Sequence, residues 1–100
     1  MELVSDNSQH LAENYLRQIR RFSPNAGGCL EELRSYGSQL VTYAALITLA
    51  YYEDMLKTGS VPDCEPYLTA WQRQPNARIL LEHTLNALAT DWQIGNIRKA

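Results

Sequence analysis

One hundred residues, 45% of them apolar and carrying a formal charge of −2, describe one small globular domain rather than a disordered chain. Basic and acidic residues are scattered through the whole length, so the electrostatic footprint that nucleic acid or an anionic membrane would require is missing. The opening MELVSDNSQH has neither a basic start nor an apolar stretch; no signal peptide is visible, and a cytoplasmic location is the expectation.

The spacing predicts a first helix over residues 8–22, capped by Ser5, Asp6 or Ser8. Its apolar stripe is Leu11, Tyr15, Ile19 and Phe22, with Leu16 beside it. Arg17, Arg20 and Arg21 gather near its C-terminal end, where cations complement the macrodipole. The segment SPNAGG, residues 23–28, reads as a turn because proline, asparagine and paired glycines break regular structure.

A long central helix is expected over residues 29–57. Leu30, Leu33, Gly37, Leu40, Ala44, Ile47 and Tyr51 recur at alternating steps of three and four, the seam of a helix lying alongside a neighbour. Gly37 costs about 1 kcal/mol relative to alanine inside a helix and is read as permitting a close helix crossing. No charged side chain occurs between Arg34 and Glu53, and apolar groups from Leu40 onward surround the axis. A helix apolar on all sides is buried on all sides, in a core or in a membrane. The run approaches the ~20 residues needed to span a bilayer, but its serines, threonines and tyrosines and its acidic ends oppose that reading.

Lys57 and Gly59 form a helix stop. Asp63 is positioned to cap a third helix over residues 64–73, with Pro66 tolerated in its first turn and Tyr67, Leu68 and Trp71 on its apolar side. A fourth helix over residues 76–93 presents Leu81, Leu85, Leu88 and Trp92, broadened by Ile79, Leu80 and Ala89. Gly95 ends it, and residues 94–100 are expected to fray. The fold class is therefore all-α: a single domain over residues 1–100, a bundle of about four helices around one long one. An unbroken helix over residues 29–57 would put Cys29 and Cys64 roughly 40 Å apart, far beyond the ~7 Å a disulfide allows between Cα atoms, so both thiols are expected free.

The residues that could carry chemistry do not assemble into a motif. His10 and Glu13 share a helix face and resemble half of a bundle metal site, in reversed order and only once; Glu82 and His83 are adjacent and diverge. Gly27 and Gly28 match no phosphate-binding loop, and no nucleophile elbow occurs. No enzyme, cofactor or metal is expected. What stands out is the surplus of apolar surface on the central helix. Tyr43, Leu46, Leu49, Tyr52 and Leu56 are the expected partner interface, with Ala44, Ala45 and Ala50 allowing close approach of a second helix.

The function expected from these residues is that of a protein–protein interaction module, an adaptor, inhibitor, assembly factor or regulatory subunit, acting as a homodimer or on another protein. One alternative is a DNA-binding regulator whose last two helices form a helix-turn-helix presenting Asn76, Arg78 and Glu82. Residues 62–100 oppose it, since Arg73, Arg78, Arg98 and Lys99 are balanced by Asp63, Glu65, Glu82 and Asp91. A further alternative is a small helical enzyme or ligand carrier with a pocket lined by Tyr43, Tyr51 and Trp71.

Overall fold

The computed structural model describes residues 2–95 and 97, and the side chains of residues 10–95 and 97. Among the described residues there are five α-helices, one 3-10 helix and no strand, so the chain is all-α. The first helix, α1, spans Glu2–Phe22 and so begins earlier than expected. Ala12, Leu16 and Ile19 form its buried line, at steps of four and three, while Leu11 lies exposed. The apolar stripe is thus rotated by about one residue from the one the sequence suggested.

Helix α1 stops at a single residue. The Ser23 N–H still donates to Ile19 O at 2.8 Å, but Ser23 itself is extended, with φ −151° and ψ 91°. Its Oγ accepts from the Ala26 N–H at 3.2 Å, and Pro24 occupies the first turn of α2, Pro24–Glu31. Residues 23–28, expected as a loop, are therefore the N-cap and the first five residues of α2. Serine satisfies an otherwise orphaned N–H, and proline loses nothing there. Gly27 fits because α1 crosses so closely: a Cβ at this position would lie 2.5 Å from Arg20 Cγ and 3.2 Å from Arg20 Cα.

The expected continuous helix over residues 29–57 is divided. After α2 the chain tightens into a 3-10 helix, Glu32–Tyr36, and Gly37 then adopts φ 106°, ψ 158°, a backbone conformation open to glycine and strained for other residues. The long helix α3 runs only from Ser38 to Thr58. Gly37 makes a corner rather than a helix crossing. Because of that corner, α2 packs chiefly on the last helix and on α1, while α3 packs chiefly on α1. Helix α3 buries Val41, Ala44, Ala45, Thr48, Tyr51 and Met55 and ends at left-handed Gly59, whose N–H donates to Met55 O at 2.7 Å.

Helix α4, Glu65–Thr69, is shorter than expected, and Trp71 leaves it to enter the core and donate from Nε1 to Gln74 O at 3.0 Å. Helix α5, Pro75–Gln93, buries Ala77, Leu81, Thr84, Leu85, Leu88 and Asp91, whereas Ile79 is exposed. In the expected frayed tail, Ile97 is buried against the core; residues 96 and 98–100 lie outside the described residues.

Asp91, 1% exposed, ties the two ends of this arrangement together. Its carboxylate accepts from Ser23 Oγ at 2.6 Å and from Asn25 Nδ2 at 3.1 Å, joining the α1–α2 break to the end of α5. Replacing Ser23 with alanine removes a helix cap and one of the donors to a buried carboxylate together. A loss of about 1–3 kcal/mol is expected in urea unfolding, and an unchanged midpoint would show that the break is held by packing alone.

Candidate interaction face

The core line of α3 leaves the opposite side of the helix outward. Gln39, Tyr43, Leu46, Ala50, Glu53 and Lys57 are all exposed there, at steps of four, three, four, three and four. Two walls flank the line. On one side Phe22 of α1 stacks on Tyr52, with ring centroids 3.8 Å apart and planes 4° from parallel. On the other, the Arg73 guanidinium sits 4.0 Å from the centroid of the Tyr43 ring, a cation–π contact. A groove of about 350 Å³ runs beside the α1 wall, touching Arg21, Leu49, Glu53 and Leu56, and one of about 470 Å³ lies at the Arg73 wall, touching Gln39, Thr42 and Leu46.

The five residues expected at an interface therefore occupy two kinds of place. Tyr43, Leu46 and Leu56 are 44%, 45% and 44% exposed. Leu49 and Tyr52 are half-buried and pack against the core, and burial pushes the Tyr52 hydroxyl up from its ordinary pKa. Glu53, Lys57 and Arg73 share this face and were missed by a search for apolar groups; their positions on the three-and-four spacing could have revealed the first two.

A second cluster ties the end of α3 to α4 and to α5. The Tyr51 hydroxyl donates to Pro62 O at 2.8 Å, and Cys64 Sγ lies 3.7 Å from it and 3.7 Å from Asn86 Oδ1. Tyr67 meets Tyr51 edge-on at 5.0 Å and donates to the Asp54 carboxylate. Burial, then the hydrogen-bonded and negatively charged neighbours, raise both phenols; Tyr51 moves well above the usual range and Tyr67 to about 12.

The other groups weighed in the sequence fall elsewhere. Tyr51 and Trp71 are inside the core while Tyr43 is outside it, so the three face different surroundings. Helix α4 has five residues, little more than one turn, before α5 carries Asn76, Arg78 and Glu82. His10 is exposed, and Glu13 is bound by Arg34 at 2.7 Å, a hydrogen bond that holds its carboxyl below the usual range. Arg20 pairs with Glu31. Both cysteines are free; burial, then the charge of Glu32, pushes the Cys29 thiol up, away from the reactive thiolate. Among the described residues no group of three or more His, Cys, Asp or Glu is placed to hold a metal, and no helix is long and apolar enough to cross a membrane. No protein-family model, curated protein or solved structure matches the chain.

The raised pKa of Tyr67 gives a pH dependence of defined sign. Its folded value of about 12 lies above the ordinary 10.0, so the contribution is fully present below about pH 10 and is lost as pH rises through about 12. Urea stability is expected to fall across that window, and Tyr67→Phe, which has no hydroxyl to ionise, is expected to flatten part of the fall. Identical slopes for the two proteins would remove Tyr67 as a source.

Proposed function

We propose that this chain is a small α-helical protein–protein interaction module that acts as a homodimer through the outward face of α3. One observation carries the reading: the three large apolar residues Tyr43, Leu46 and Leu56 stand exposed on a single helix whose first half faces the core with small residues, Val41, Ala44, Ala45 and Thr48. Scattered surface leucines need no explanation, but Tyr43 and Leu46 one turn apart on the outward line, with Leu56 at the edge of the groove beside α1, give one rigid helix the apolar centre an interface requires. Leu49 and Tyr52 support that line from the α1 side, and the walls at Phe22 and Arg73 shape it. The module would serve as an adaptor, inhibitor, assembly factor or regulatory subunit, and its two free thiols support a reducing, cytoplasmic setting.

Leu46 is the better probe than Tyr52, because Tyr52 also holds α1 against α3 through Phe22. Light scattering on a sizing column across a concentration series is expected to find a dimer for the wild type and a monomer for Leu46→Glu, with identical helicity by circular dichroism. A wild type that stays monomeric throughout overturns the homodimer, and a Leu46→Glu protein that still dimerises moves the interface off α3.

A further inference from the structure

The outward line of α3 has the spacing of a coiled-coil seam. Gln39, Tyr43, Leu46, Ala50, Glu53 and Lys57 alternate steps of four and three, the pattern that keeps one edge of a helix facing a partner helix. At 1.5 Å per residue this seam is about 27 Å long. Its chemistry is uneven from end to end. A large aromatic residue lies near the start, a leucine and an alanine occupy the middle, and a carboxylate and an ammonium stand at the end.

Arg73 marks one end, and Glu53 and Lys57 mark the other. Arg73 lies over Tyr43, and Glu53 lies ten residues further along the same helix. Among the described residues neither has an ion-pair partner; the ion pairs formed join Arg20 and Arg34 to Glu31 and Glu13 instead. A second copy can meet this seam in two directions about a two-fold axis. Parallel pairing sets Glu53 against Glu53 and Arg73 beside Arg73, like charges facing across the axis. Antiparallel pairing sets Glu53 against Arg73 and does so twice, since the two-fold repeats each contact, and it places Lys57 opposite the neutral Gln39.

The geometry points to an antiparallel α3–α3 homodimer in which Leu46 of each copy packs over Ala50 of the other, and Glu53 of each reaches the Arg73–Tyr43 wall of the other. This rests on the homodimer reading above and adds direction and register to it. In that register residues whose numbers sum to 96 oppose each other: Tyr43 with Glu53, Leu46 with Ala50, Gln39 with Lys57. A large residue then meets a small one at each of the two central layers, the condition for two helices to pack closely. The carboxylate adds to the cation–π pair already formed, so Arg73 needs no rearrangement to receive it.

Charge reversal separates this arrangement from the alternatives. Glu53→Arg and Arg73→Glu are each expected to raise the dimer dissociation constant by roughly tenfold or more, because each breaks two attractive pairs and creates two repulsive ones. The double variant restores both pairs with the signs exchanged and is expected to return to within about threefold of the wild type. Added salt is expected to weaken the wild-type dimer and to relieve the single variants' defect. If Arg73→Glu acts only by loosening the connection before α5, Glu53→Arg will not rescue it, and the proposed pairing fails. A dimer whose affinity none of the three variants alters overturns the antiparallel register while leaving a homodimer in place. A wild type that is monomeric at every concentration overturns both.

Discussion

The buried contact between Ser23 and Asp91 decides how the helices are arranged. A carboxylate 1% exposed to solvent is costly unless strong donors surround it, and here they are a serine hydroxyl at 2.6 Å and an asparagine amide at 3.1 Å. The same serine hydroxyl accepts from the Ala26 N–H and so starts α2. One side chain therefore stops being part of α1, caps α2 and fixes the far end of α5. Given that junction, α2 lies between α1 and α5, and α3 is left to cover α1 from the other side of the Gly37 corner.

Small residues carry the consequences. Gly27 lets α2 approach the Arg20 backbone, and Ala44, Ala45 and Thr48 let the core side of α3 lie close to its neighbours. The buried hydroxyls of Thr48 and Thr84 donate to Ala44 O and Leu80 O one turn back, both at 2.8 Å, so neither needs a partner from another helix. Helix α3 then has an inverted distribution along its first half. Its small side chains point inward, and Tyr43 and Leu46 point outward. In the isolated chain Tyr43 and Leu46 stay 44% and 45% exposed, so they contribute only part of the hydrophobic stabilisation that full burial would give.

Much of the fold is legible in the sequence, and what is hidden has physical causes. The uncharged stretch between Arg34 and Glu53 and the leucine spacing after Asn76 identify α3 and α5, and Gly59 is readable as a left-handed cap. Gly37 is harder: a glycine on an apolar seam fits a close helix crossing as well as a corner, and only its φ of 106° separates the two. Residues 23–28 mislead because Ser-Pro both breaks one helix and begins the next, and because Gly27 is demanded by Arg20, a tertiary neighbour invisible to local spacing. In the candidate site, the helix is legible from composition but the division of its faces is not. Exposure at Tyr43 and half-burial at Tyr52 depend on where α1 lies, and that follows from the Gly37 corner.

The charge beside Tyr43 is likewise a product of the core and not of the surface. The Tyr51 hydroxyl holds Pro62 O at 2.8 Å, Tyr67 reaches back to Asp54, and the Trp71 indole donates to Gln74 O at 3.0 Å. These three contacts set the course of the chain from the end of α3 to the start of α5, and Arg73 lies within that course, one residue before Gln74. A guanidinium placed by buried aromatics is pre-organised, so it loses less conformational freedom on meeting a carboxylate than a free surface arginine would. Exposed ion pairs on flexible side chains contribute little. A pair in which one member is already fixed over an aromatic ring can select direction and register, and buried Tyr51 with half-buried Tyr67 sets the course of the chain that carries Arg73.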